Sequence, residues 1–216
     1  MKASSVSRIG KTASLLAAIF ALIYSVFALL AVFKVIPHPY DLFWQFLPSL
    51  LLGFAFVVTI ICLHYSVAEE FKVYTAIASA FAVLYCACVT IVYFTQIAVV
   101  IPKFLQHNID EAYVLAFSGK SFMVAVDCIG YALMSVATFF AAFAFKNDYE
   151  HRWLYRSLLY NGLLAPVIIL AFFVPAFIFV GALWIITLPM AMISAARIFW
   201  ADTYKKISQT QHEAEV

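Results

Sequence analysis

The stretch Ser157–Trp200 decides the fold, and it reads SLLYNGLLAPVIILAFFVPAFIFVGALWIITLPMAMISAARIFW. It carries no charged residue before Arg197, and it is about twice as long as the ~20 apolar residues that cross a hydrocarbon core. A run of this length must turn back on itself within one bilayer. Pro175 and Gly181 are the residues that favour a break. We therefore predict two membrane helices here, over about 155–174 and 179–200.

Four more apolar runs precede this stretch, over about 13–33, 42–63, 73–101 and 122–145. The 216-residue chain is 66% hydrophobic and 11% charged, with a mean hydropathy of +1.01. Soluble domains carry about 25% charged residues, so the composition excludes a soluble, disordered or collagen-like protein and a disulfide scaffold. The sequence predicts an all-α polytopic membrane protein, a bundle of six transmembrane helices over 13–200, between an N-terminal segment 1–12 and a tail 201–216.

The basic residues orient the predicted helices. Of the thirteen Lys and Arg, three lie in the odd-numbered loops, namely Lys34, Lys103 and Lys120. The others lie beside the termini and in the second and fourth loops, which predicts cytoplasmic termini by the positive-inside rule. The first span is then a retained signal anchor. A net charge of +2 without a large basic patch gives no indication of nucleic-acid binding, so the lipid bilayer is the expected environment.

The longest loop follows the third span and has a pattern of its own. Asn108 with Glu111 resembles a capping box, and Gly119 is a typical helix stop. Apolar residues recur between them at helical spacing: Ile109, Ala112, Tyr113, Ala116 and Phe117. We predict an amphipathic helix over about 109–117 on the outer membrane surface. It is either a lid over an outward-facing cavity or a connector that rests on lipid and neighbouring helices.

Asp127 is the one acid that lies firmly within a predicted span, and ionisable residues there are candidates for function. Such a carboxyl needs hydrogen-bond donors or water, or else it stays neutral. Because the helices alternate in direction, polar residues of the second, third and fourth spans meet near the outer end. The sequence predicts a ligand-binding cluster of Gln45, Tyr93, Gln96, Asp127 and Tyr131.

Two interpretations of this cluster remain open. It either lines a solvated vestibule for a cation, a proton or a small polar molecule, or it hydrogen-bonds across helices as structural glue. Accordingly, the first hypothesis is binding or permeation of a small molecule or ion through an outward-facing polar cavity around Asp127. The second is a non-enzymatic scaffold or regulatory subunit that binds another membrane protein. The third is a lipid-modifying enzyme.

No motif indicates enzymatic chemistry. The sequence has no His-Glu-x-x-His, no Gly-x-Ser-x-Gly and no glycine-rich phosphate loop. All four cysteines lie within predicted spans, and none forms a Cys-x-x-Cys pair. We therefore predict no catalytic residue, no metal site and no cofactor. Arg156 and Arg197 lie at the cytoplasmic ends of the predicted fifth and sixth spans, where we expect them to form ion pairs or to bind lipid headgroups.

The segment Asp127–Ser135, which reads DCIGYALMS, resembles small prokaryotic multi-pass membrane proteins of unknown function, together with Asn161-Gly162 in the fifth span. The resemblance covers about a third of the chain. It implies a location in a prokaryotic cytoplasmic (inner) membrane, and it implies no activity and no functional residue.

Overall fold

A computed structural model describes the backbone of residues 3–146 and 150–214, and the side chains of residues 5–146 and 150–201. The chain is 85% helical, and the described part contains no strand. Six helical segments are long and apolar enough to cross a membrane: Ser5–Val32, Tyr40–His64, Glu69–Leu105, Phe122–Phe143, Arg152–Phe173 and Pro175–Ala201. The predicted all-helical class with six candidate spans is confirmed.

Over residues 3–146 and 150–214, nine α-helices together with short 3-10 and π-helical turns build these six segments. The first five are α1 (Ala3–Val32), α2 (Tyr40–His64), α3 (Lys72–Thr95), α4 (Ile101–Leu105) and α5 (Phe122–Phe143). The other four are α6 (Arg152–Gly162), α7 (Ala165–Phe173), α8 (Ile178–Gly181) and α9 (Trp184–Ala214). A π-helical turn, Gln96–Val100, joins α3 to α4. The backbone of α9 continues through most of the predicted tail 201–216.

The apolar stretch Ser157–Trp200 folds back at Pro175, as predicted. Val174 leaves the helical conformation, with φ −122° and ψ 101°, and Pro175–Phe177 form a 3-10 turn before α8. The physical reason is that the proline ring disfavours helical geometry at the residue before it. Pro48 and Pro189 behave differently, because both are accommodated inside long helices.

The helices pack as a closed ring. Neighbours follow the order α1, α2, α3, α5, α6 and α9, and α9 packs against α1 again. The helices α1 and α9, which close the ring, run antiparallel: Tyr24 lies against Trp184, and Lys11 lies over Trp200 at the other end. We call the membrane side that carries loop 106–121 the loop side, and the side where α1 begins the terminal side.

The long loop differs in type from the predicted α-helix 109–117. The structure has a 3-10 helix over Ile109–Leu115, in which side chains three residues apart share a face. Ile109, Ala112 and Leu115 are therefore the less exposed residues, whereas Tyr113 is 69% exposed. The Asn108 side chain makes no cap hydrogen bond, and the Glu111 side chain pairs with Lys103. Gly119 turns the chain with a φ of +54°.

Candidate functional site

One acid and five aromatic side chains meet inside the ring, nearer to its loop side. We call this group the tyrosine–aspartate cluster; its members are Tyr24 of α1, Tyr85 and Tyr93 of α3, Asp127 and Tyr131 of α5, and Trp184 of α9. Asp127 lies five residues after the start of α5, and Tyr131 follows one turn later on the same face. Side chains from four of the ring's helices thus converge on one region.

Glycine allows α3 and α5 to approach closely enough for this convergence. A Cβ atom at Gly130 would lie 3.1 Å from the Cβ of Cys88 and 3.5 Å from Val89 Cγ1. Small residues commonly permit such close approach between membrane helices. Gly130 therefore brings the backbone of α5 near α3, so that Tyr85 and Tyr93 reach the face that carries Asp127 and Tyr131.

The phenol and indole rings form a connected set. The Tyr93 hydroxyl donates to the Tyr131 hydroxyl over 2.9 Å, and both side chains are buried. The Tyr131 ring lies 4.7 Å from Trp184 and 5.8 Å from Tyr85, measured between centroids. Trp184 in turn lies 5.3 Å from Tyr24. These contacts join the first span to the third, fourth and sixth.

Asp127 is the polar centre of the cluster. Its carboxylate atom Oδ1 is buried and has no hydrogen-bond partner, and the same holds for the Tyr85 hydroxyl. The Tyr93 hydroxyl lies near the Asp127 carboxyl group, but it donates its single proton to the Tyr131 hydroxyl. Native structures pair nearly all buried polar atoms, so two buried atoms without a partner in one cluster single it out as the candidate site.

Gln96 holds the long loop above the cluster through two hydrogen bonds. Its side-chain Nε2 donates to the Leu115 carbonyl over 2.6 Å, and its Oε1 accepts from the Phe117 amide over 3.0 Å. Phe117 packs on Phe46, which stacks on Tyr93 with ring centroids 5.3 Å apart. The fully buried Gln96 thus contacts the loop backbone, and the loop forms the roof of the cluster.

Of the predicted site residues, the structure brings Tyr93, Asp127 and Tyr131 together. Gln96 lies one turn above Tyr93 and bonds to the loop. Gln45 is separate, because its amide donates to the Asp41 carbonyl of its own helix over 3.1 Å. The arrangement places three of the five residues in one contact group and assigns the two glutamines to other contacts.

Tyr24, Tyr85 and Trp184 belong to the cluster but were not among the predicted site residues. Their position along the spans could have identified them. Tyr24, for example, lies eight residues before the end of α1, which is too far inside the span for an interfacial anchor. Tyr85 lies in the middle of α3. Aromatic residues with polar atoms at such depths need partners inside the protein.

A second polar network continues down the same face of α5. Thr138 donates to the Ser135 carbonyl, and Asn161 Nδ2 donates to Thr138 Oγ1 over 3.0 Å. Thr187 then donates to Asn161 Oδ1 over 2.8 Å. Ser135 Oγ, which lies between this network and the cluster, is a third buried atom without a partner. The polar stripe from Asp127 to Thr138 is roughly 16 Å long at 1.5 Å per residue.

Comparisons of the chain with protein-family models, with curated proteins and with solved structures find no match. The function is therefore argued from the chemistry of the site.

Proposed function

We propose that this protein binds a proton or a small monovalent cation at Asp127, as a step in the permeation of a small molecule or ion across the membrane. The observation that carries the proposal is the buried Asp127 Oδ1, which has no hydrogen-bond partner. An isolated carboxylate in a membrane interior is strongly disfavoured, so it takes up a positive partner or a proton.

The surroundings of Asp127 suit such a partner. The phenol oxygens of Tyr85 and Tyr93 lie near the carboxyl group and can supply hard ligands to a cation held there. The polar stripe on α5 extends this environment toward Asn161 and Thr187, which supports a path that leads deeper than the cluster. The roof held by Gln96 lies where a solute would enter from the loop side.

We further propose that the loop side faces outward and that the membrane is a prokaryotic cytoplasmic (inner) membrane. The orientation rests on the basic residues, because ten of thirteen Lys and Arg belong to the terminal side. The location rests on the resemblance of Asp127–Ser135 to small prokaryotic membrane proteins.

Infrared spectroscopy of the reconstituted protein tests the role of Asp127. A protonated carboxyl buried in the cluster gives a carboxylic C=O stretching band that titrates with pH. We expect Asp127→Asn to remove this band, and we expect added Na⁺ or K⁺ to shift its midpoint in wild type. The matched control is Asp110→Asn, which removes an exposed carboxylate of the loop and leaves the band unchanged.

A different result would favour the alternative roles. If the Asp127 band responds to neither pH nor cations, while Asp127→Asn unfolds at a lower temperature than wild type, the carboxyl serves as structural glue. The protein would then fit a scaffold or regulatory subunit that binds another membrane protein. Turnover of a lipid that Asp127→Asn abolishes would instead indicate a lipid-modifying enzyme.

A further inference from the structure

A cavity of about 310 Å³ lies between α6 and α9 on the terminal side. It is separate from the tyrosine–aspartate cluster, because Arg197 in its wall lies thirteen residues after Trp184, or roughly 20 Å along α9. Trp153, which also lines it, is 67% exposed. The Lys11 ammonium lies over the ring of the nearby Trp200, 3.9 Å from the ring centroid. Tryptophan beside basic residues is typical of the headgroup level of a membrane.

The walls of the cavity combine the Arg197 guanidinium and other polar side chains, His151 among them, with apolar surface. Arg197 is exposed, and within the described residues it forms no ion pair. Its guanidinium can hold two phosphate oxygens at once. The Ser194 hydroxyl lies in the same wall, and Leu154 and Ile198 supply apolar surface. This combination suits an amphiphile with a phosphate group better than it suits a fully polar solute.

The apolar part of the wall narrows the ligand class. Glu150 and His151 complete the lining, and Leu154 and Ile198 offer an apolar surface that a free phosphate or a small phosphate monoester does not use. A membrane phospholipid joins a phosphodiester to acyl chains and therefore matches both parts of the wall. We propose that this cavity binds the headgroup of one membrane phospholipid, with its phosphodiester on Arg197 and the start of its acyl chains along Leu154 and Ile198.

Native mass spectrometry of the purified full chain with added phosphatidylglycerol tests the proposal. Wild type is expected to retain one lipid, and Arg197→Gln to weaken retention roughly tenfold, as expected for loss of a charge-assisted hydrogen-bonded contact. Ala201→Phe keeps the charge and fills the cavity, so it should weaken retention as well. The matched control is Arg156→Gln, which removes a cation of α6 that does not line the cavity and should leave retention unchanged.

Three outcomes would overturn the proposal. Equal losses in Arg197→Gln and Arg156→Gln would show general attraction of anionic lipid to the basic side. Full retention by both Arg197→Gln and Ala201→Phe would place the lipid elsewhere. Displacement of the lipid by millimolar inorganic phosphate would assign the cavity to soluble phosphate rather than to a membrane lipid.

Discussion

Because Gly162 has no side chain, two helices of the bundle can approach each other closely at this residue. A Cβ atom there would lie 2.6 Å from both the Cα and the Cβ of Phe139, so α6 contacts the backbone of α5 directly. The preceding residue, Asn161, bonds to Thr138 and accepts from Thr187. The close approach at Gly162 therefore also sets the geometry of the second polar network.

We expect Gly162→Ala to destabilise the protein by about 1–3 kcal/mol, the usual range for overpacking. The clash is with backbone atoms of Phe139, which cannot rotate away as a flexible side chain can. The measurement is the unfolding midpoint in detergent. Gly181→Ala is the control, because the nearest atoms would lie 3.7 Å or more from its Cβ; equal midpoints for the two variants would contradict the prediction.

Among the elements, the π-helical turn Gln96–Val100 lies within the third span, between α3 and α4. π-Helical turns are rare and often occur at functional sites. Here the turn carries Gln96, whose amide makes two hydrogen bonds to the loop backbone. The 3-10 helix of the loop leaves Tyr113 and Val114 exposed. Besides Gln96, the Lys103–Glu111 ion pair and the Phe117–Phe46 ring contact hold the loop above the cluster.

Gln96→Leu should loosen the loop without unfolding the bundle. Two hydrogen bonds of about 1 kcal/mol each correspond to roughly thirtyfold faster amide hydrogen exchange in the loop. Hydrogen–deuterium exchange of Ile109–Leu115 provides the measurement, with the half of α5 nearer the terminal side as an internal reference.

The control for the loop is Gln45→Leu, an identical chemical change on α2. Gln45 bonds only within its own helix turn, to Asp41, so exchange in the loop should stay at the wild-type rate. If the two leucine variants exchange equally, the loop is held by contacts other than Gln96.

For the whole molecule, the contact of the first span with the last closes the ring. A Cβ atom at Gly10 would lie 2.6 Å from Phe199 Cζ, near the terminal side, and Tyr24 meets Trp184 toward the loop side. The helices α1 and α9 thus pack against each other along their length. Because they are antiparallel, the start of α1 and residue Trp200 of α9 lie at the same end of the bundle.

The proposed orientation of the molecule is testable on intact cells with a membrane-impermeant maleimide. Tyr113→Cys lies on the loop side and should be labelled from outside. Ser5→Cys lies on the terminal side and should react only after the cells are permeabilised. Each is compared with wild type, whose four cysteines lie within the spans. The reverse labelling pattern would invert the orientation.

The sequence by itself determined the helical class and the six spans, because hydropathy over about twenty residues is a local property. It also placed Asp127 and Tyr131 on one face, since helical periodicity is local too. Only the tertiary structure decided which faces meet. Close approaches such as Gly130 against Cys88 set how α3 and α5 meet. The ring contacts of Tyr24, Tyr85 and Trp184 then complete the cluster that holds Asp127. The same packing assigns Gln96 to the loop and leaves Gln45 on its own helix.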